Sequence, residues 1–160
     1  MEPGVFNITP TKNEIKIRGY LDWTWAPKDK ETQAGLLAPV RGNRFGEVIA
    51  NCWPLYDSDG PNKKVLAFVR GKHVQASYRD ELGWFFTVNL VFKDASGFKG
   101  STLQVMGNDE RDSEWAIVGG TGQFANAQGI LQKKILNETN SMRFFEVNIR
   151  ATYTPPKKAT

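Results

Sequence analysis

One histidine, one cysteine and a Gly-Gly-Thr-Gly turn are the places in this 160-residue chain where residue type alone invites a chemical reading. The turn runs from Gly119 to Gly122, between Val118 and Phe124. A phosphate cradle needs a strand, a glycine loop of fixed spacing, and then a helix whose N-terminus faces the anion. The turn lacks the G-x-G-x-x-G spacing and the lysine of a Walker loop, and the stretch after it contains Gly129 and reads as a bent strand. Glycines inside a strand mark bulges, sharp bends or close backbone approach, the corners a barrel wall needs. Gly119, Gly120 and Gly122 are therefore assigned to backbone geometry. His73 has no second histidine or thiol pair beside it, so no zinc site is expected; it reads equally as a hydrogen-bonded strand histidine or a ligand contact. Cys52, in "EVIANCWPLY", reads as a small buried hydrophobe rather than a nucleophile, and a lone cysteine agrees with a reducing compartment. Asn7 and Asn137 head N-x-Thr triplets, which matter only to a chain that enters the secretory pathway.

The elements that must position these residues show period-two alternation and almost no helical period. In "EIKIRGYL", Ile15, Ile17 and Gly19 share one face while Lys16, Arg18 and Tyr20 share the other, and the stretch from Phe145 to Tyr153 behaves similarly. Between them lie "EVIANCW", "KVLAFVRGKHVQASY", "GWFFTVNLVFK", "STLQVMG", "WAIVGG" and "GQFANAQGILQKKIL", giving seven or eight strands punctuated by turns such as "DSDGPN", "RDELG", "KDASGFKG" and "NETNS". That pattern predicts an all-β meander, closed as a barrel or folded as a sandwich. Trp53, Trp84 and Trp115 sit in apolar strands and are expected in the core or at an interface, while Lys133 and Lys134 are expected as a solvated or edge-protecting pair. Length fits one domain with a core of its own, and 40% hydrophobic residues exclude a disordered chain. No apolar run reaches the roughly 18 residues of a membrane span. A net charge of +4 is scattered rather than striped, so neither nucleic acid nor membrane is an expected partner. The first residues lack an apolar signal core, so a cytoplasmic location is expected. We divide the chain into an extension at 1–12, a barrel at 13–154 and a proline-bearing tail or linker start at 155–160.

The residues also carry a resemblance. "KGSTLQVMG", "WAIVGGTGQFANAQG" and "RFGEVIANCWPLYD" are similar to signature segments of the plant dirigent family, over about 20 to 154. Within that family "GYLDWT", "RGKHVQA" and "DSEWAIVGGTGQFANAQGILQKK" resemble the dirigent halves of monocot chimeras in which a jacalin-type lectin domain follows. The resemblance implies an eight-stranded antiparallel β-barrel with a central cavity, of the dirigent and allene oxide cyclase type. It also implies a homo-oligomer (dimer or trimer), no cofactor, and a jacalin-type domain in a longer product.

Family members that guide phenoxy-radical coupling use carboxylic acids and an arginine in an aromatic-lined pocket, where proton delivery needs groups within hydrogen-bond reach. The family's His-Asp pair aligns with Asp22 and Trp23, and on a strand the one-residue offset turns Asp22 away from the cavity. An aromatic pair aligns with His73 and Gln75. Asp109 matches the family's second aspartate, Arg111 stands two positions from the expected arginine, and Thr121 is retained. With the acids and arginine only partly matched, the leading expectation is a non-catalytic, lectin-like barrel in plant defence that binds galactose-containing glycans through Asp22, Trp23, His73, Gln75, Asp109, Arg111 and Thr121. Hydroxyl networks on these groups and stacking on indoles suit a sugar. If the chain is active, Asp109 and Arg111 are the catalytic candidates. The alternatives are stereoselective coupling of a phenolic small molecule, and a module that recruits or aggregates another protein such as a β-glucosidase.

Overall fold

The computed structural model describes residues 12–26, 29–39, 42, 44–78, 83–109 and 111–154. The extension up to residue 11, with Asn7, the tail at 155–160 and most of the "RDELG" turn lie outside the described residues. Nine strands follow in order: β1 (Asn13–Thr24), β2 (Gln33–Leu37), β3 (Val48–Tyr56), β4 (Val65–Gln75), β5 (Trp84–Phe92), β6 (Thr102–Asn108), β7 (Glu114–Thr121), β8 (Gln128–Glu138) and β9 (Met142–Tyr153). All neighbours are antiparallel, and pairing of β1 with both β9 and β3 closes eight strands into a barrel. The expected barrel is thus the fold, and the sandwich alternative falls away. β2 is an added strand, paired only to β3. Its sequence, "QAGLL", has no alternation and no β-branched residue, which is why periodicity passes over it.

Alternation dictates what fills the barrel. Leu21 and Trp23 on β1, Trp53 and Leu55 on β3, Phe86, Val88 and Leu90 on β5, and Phe145, Val147 and Ile149 on β9 all point inward and are buried. Trp53, Trp84 and Trp115 belong to that core, as expected. The same period corrects Cys52: with Asn51 and Trp53 facing in, its thiol is turned out and exposed.

One end of the barrel is plugged. Two short 3₁₀ turns, Asp94–Ser96 and Gly122–Phe124, close over it. Beneath them Phe124 packs against Phe92, Phe98 and Tyr153 with ring centroids 4.8 to 5.2 Å away. The glycine turn serves this closure. Val118 is bulged out of the β6–β7 register, 52% exposed, and Gly122 adopts a φ of +63°. A Cβ on Gly120 would lie 2.3 Å from the Phe124 carbonyl oxygen, so only glycine lets the chain fold back this closely.

Candidate functional site

The opposite end is open onto a pocket of about 620 Å³. It lies where β1, β4 and β6 end and β3, β5 and β9 begin, so the inward residue nearest each of these strand ends becomes its wall. Three indoles, Trp23, Trp25 and Trp84, line it together with His73, Ile49 and Asp109. Arg44 and Glu47, Glu31 and Gln33, and Arg143 complete the rim.

Trp23 is 4% exposed and packs against Trp53, tilted by 45° with centroids 4.5 Å apart, while its indole N–H donates to Gln33 Oε1. The Trp25 N–H donates to the Asn140 carbonyl at 2.9 Å, which orients that ring at the mouth. His73 lies flat on Phe86 at 4.6 Å and edge-on to Trp84 at 4.7 Å. Burial among these rings pushes its pKa down to about 4, so the imidazole is neutral at physiological pH. Arg44 makes two bonds to the Glu47 carboxylate, at 2.5 and 3.0 Å, and lies 5.1 Å over the Trp84 ring.

Asp109 is the acid of the site. Its side chain is 8% exposed, its backbone N–H donates to the Trp84 carbonyl at 2.9 Å, and its carboxylate takes a hydrogen bond from the Lys133 ammonium. Arg143 Nη1 stands 3.8 Å from the second carboxylate oxygen, and Arg143 Nε donates to Glu138 at 2.6 Å. That bond from Arg143 holds the Glu138 carboxyl below its usual range. The Lys133 side chain is only 2% exposed, with its ammonium 5.0 Å over the Phe145 ring and 5.6 Å over the Trp115 ring. Burial pulls its pKa down, and Asp109 opposes that pull.

Trp23, His73 and Asp109 thus come together, and four other expected site residues do not. Asp22 faces outward, as the one-residue offset predicts, and takes a 2.6 Å bond from Thr24 Oγ1. Gln75 is 1% exposed but spends its amide oxygen on the backbone N–H groups of Ser77 and Gly83, tying the β4–β5 turn. Arg111 is 72% exposed on an ion pair with Glu138. Thr121 lies at the plugged end, where its hydroxyl meets that of Thr102 at 2.7 Å. Lys133 is a further correction. Leu131, Lys133 and Ile135 share the inward face of β8, so Lys133 enters the barrel and only Lys134 is solvated. Arg143 was missed because it precedes the apolar run of β9, although the same alternation with Phe145 and Val147 places it inward.

The molecule is therefore a closed antiparallel barrel, plugged at one end and opening at the other onto a tryptophan-walled pocket with a buried carboxylate. Residues 16–152 match the Dirigent-like protein family, and the chain belongs to it. Over 94 residues it is 34% identical to pterocarpan synthase 1 of Glycine max, a match covering 56% of this chain and 50% of that protein. The chain spans about half the length of the curated relatives it matches. A solved pterocarpan synthase dirigent protein superposes with a TM-score of 0.82 at 24% identity, covering 93% of this chain and 90% of that one. A second gives 0.78 at 25% identity, covering 90% and 97%.

Proposed function

We propose that this chain is a dirigent protein whose open end holds a planar phenolic intermediate and fixes the face on which it couples or closes a ring. The observation that carries this reading is Asp109, buried between Lys133 and Arg143 at the edge of a pocket walled by indoles. Flat aromatic walls hold a phenolic ring by stacking, and orientation supplies stereochemistry. In coupling, two phenoxy radicals made by an external one-electron oxidant each contribute one electron to the new carbon–carbon bond. In the ring closure that follows, a hydroxyl attacks the resulting quinone methide and gives its proton to Asp109. The quinone methide oxygen, across the ring from the carbon attacked, gains negative charge, takes a proton from solvent and becomes a phenol, while Asp109 gives up its proton to solvent. Lys133 keeps the carboxylate in place behind the reacting atoms. The family membership and the relatives named as pterocarpan synthases support the same class of chemistry.

Glycan binding stands second. Asp109 is held by Lys133, Arg44 by Glu47 and the Trp23 N–H by Gln33, which leaves fewer groups for a sugar's hydroxyl network. The test is oxidant-driven coupling of coniferyl alcohol, read by chiral chromatography. Protein-dependent enantiomeric excess is expected, with the selective rate reduced about 10²-fold or more in Asp109→Asn. A racemic product from the unmodified protein, together with binding to a galactose-bearing glycan array, would reverse the order of the two readings.

A further inference from the structure

Three inward-facing residues keep polar side-chain atoms that are buried and have no hydrogen-bond partner: Asn51 (Oδ1 and Nδ2), Trp53 (Nε1) and His73 (Nδ1). They are 6%, 0% and 3% exposed. Among the described residues five such atoms occur, and four belong to this trio. The trio is contiguous. Ile49 pairs with His73 across β3 and β4, Asn51 is the next inward position on β3, and Trp53 the one after, with its ring 6.0 Å from the imidazole. His73 and Ile49 line the pocket, and Asn51 and Trp53 are the next two inward positions along β3 beneath them. Buried polar groups are nearly always paired, and leaving one unpaired costs about 1–3 kcal/mol. Four on three neighbouring side chains mark a place prepared for a polar group from outside the chain.

We propose that Asn51, Trp53 and His73 form a hydroxyl-binding subsite below the pocket, which takes the phenolic hydroxyl of the ligand while Asp109 faces its reacting end. The proposal rests on the phenolic reading above and adds what distinguishes one phenolic ligand from another. The indole N–H only donates, the amide both donates and accepts, and a neutral imidazole nitrogen does one or the other. A hydroxyl matches this set, donating to Asn51 Oδ1 or to the His73 Nδ1 lone pair while accepting from Trp53 Nε1. A methyl ether has no proton to give. A carboxylate would bring an unpaired charge between aromatic rings, and an ammonium would leave the indole N–H unsatisfied.

Isothermal titration of the full chain with 2-naphthol and 2-methoxynaphthalene tests this. The expected result is at least tenfold tighter binding of 2-naphthol, with the ratio falling to near one in Asn51→Leu and in His73→Phe and little change in affinity for the ether. The Trp53 indole N–H resonance, assigned with Trp53→Phe, should shift with 2-naphthol and not with the ether. That measurement needs only the unmodified fold, should Asn51→Leu fail to fold. Equal binding of both compounds, or a Trp53 resonance that ignores the hydroxyl, overturns the subsite and leaves the phenolic pocket standing. Binding of neither compound overturns the phenolic pocket as well.

Discussion

The two ends of this barrel are built from the same aromatic material and do opposite things. At the plugged end Phe92, Phe98, Phe124 and Tyr153 pack edge and face against one another, ring on ring. At the open end Trp23, Trp84 and His73 are interleaved with Asp109, Arg143 and the buried Lys133. Aromatic rings alone close a cylinder; rings that share their layer with ions leave a hollow, because each charge must keep a partner or some water. The lesson is a division of labour. One end holds the fold together, and the other tolerates unfavourable burial in order to present a carboxylate.

The largest effect that would break this division is at the plug. Phe124→Ala removes a ring that is fully buried among three others, and a loss of about 4 kcal/mol is expected in urea unfolding. Binding of 2-naphthol per folded molecule should be unchanged. A variant that loses affinity in proportion to its stability would show that the ends are not independent.

Next is the ion pair. Asp109→Asn leaves the Lys133 ammonium buried without its carboxylate, and about 3 kcal/mol of stability should go. Lys133→Met should cost far less, since a methionine chain fits beside Trp115 and Phe145 and Asp109 keeps Arg143 within 3.8 Å. Equal losses in the two variants would mean that the pair acts as structure alone.

The third effect belongs to pH and to the open end only. The buried His73 titrates near 4 when folded and near 6.5 when unfolded, so between those values the unfolded chain holds more protons. The contribution is fully present above pH 6.5 and is lost as pH falls toward 4, reaching about 2 kcal/mol at pH 5. Urea unfolding at pH 6.5 and pH 5 should show this loss in the native chain and in Phe124→Ala, and lack it in His73→Phe. Glu47 and Arg44, the charged neighbours of the ring, act on it in opposite directions and do not change the sign.

The sequence carried the barrel clearly and the site only in part, for one physical reason. Period two sorts residues into inside and outside, and it put Ile15, Ile17 and Gly19 on one face, which is the inner one, and turned Asp22 to the other. Applied without regard to residue type it also puts Lys133 and Arg143 inside and Cys52 outside; the expectations that charge belongs in water and a thiol in the core hid all three. β2 was illegible because its side chains obey no period, and Leu36 and Leu37 remain more than half exposed. Gln75 and Thr121 fell out of the site because sequence position does not say which backbone amide a side chain ties down, or at which end of a barrel a residue lies.

The smallest expected effect separates two arginines. Arg111 stood closest in sequence to the position where the family places its guanidinium, yet its side chain is 72% exposed and its partner is Glu138. An exposed pair of this kind contributes little, so Arg111→Ala should change stability by less than about 0.5 kcal/mol. It should also leave the enantiomeric excess of coupling intact. Arg143 reaches the same Glu138 from the other side, but it lines the pocket, lies 5.7 Å from the Trp23 ring and faces Asp109. Arg143→Ala should therefore lower selectivity with only a modest loss of stability. If the two variants behave alike in chiral product analysis, the guanidinium that matters is not chosen by the wall of the barrel, and the open end must be redrawn to include the loop that carries Arg111.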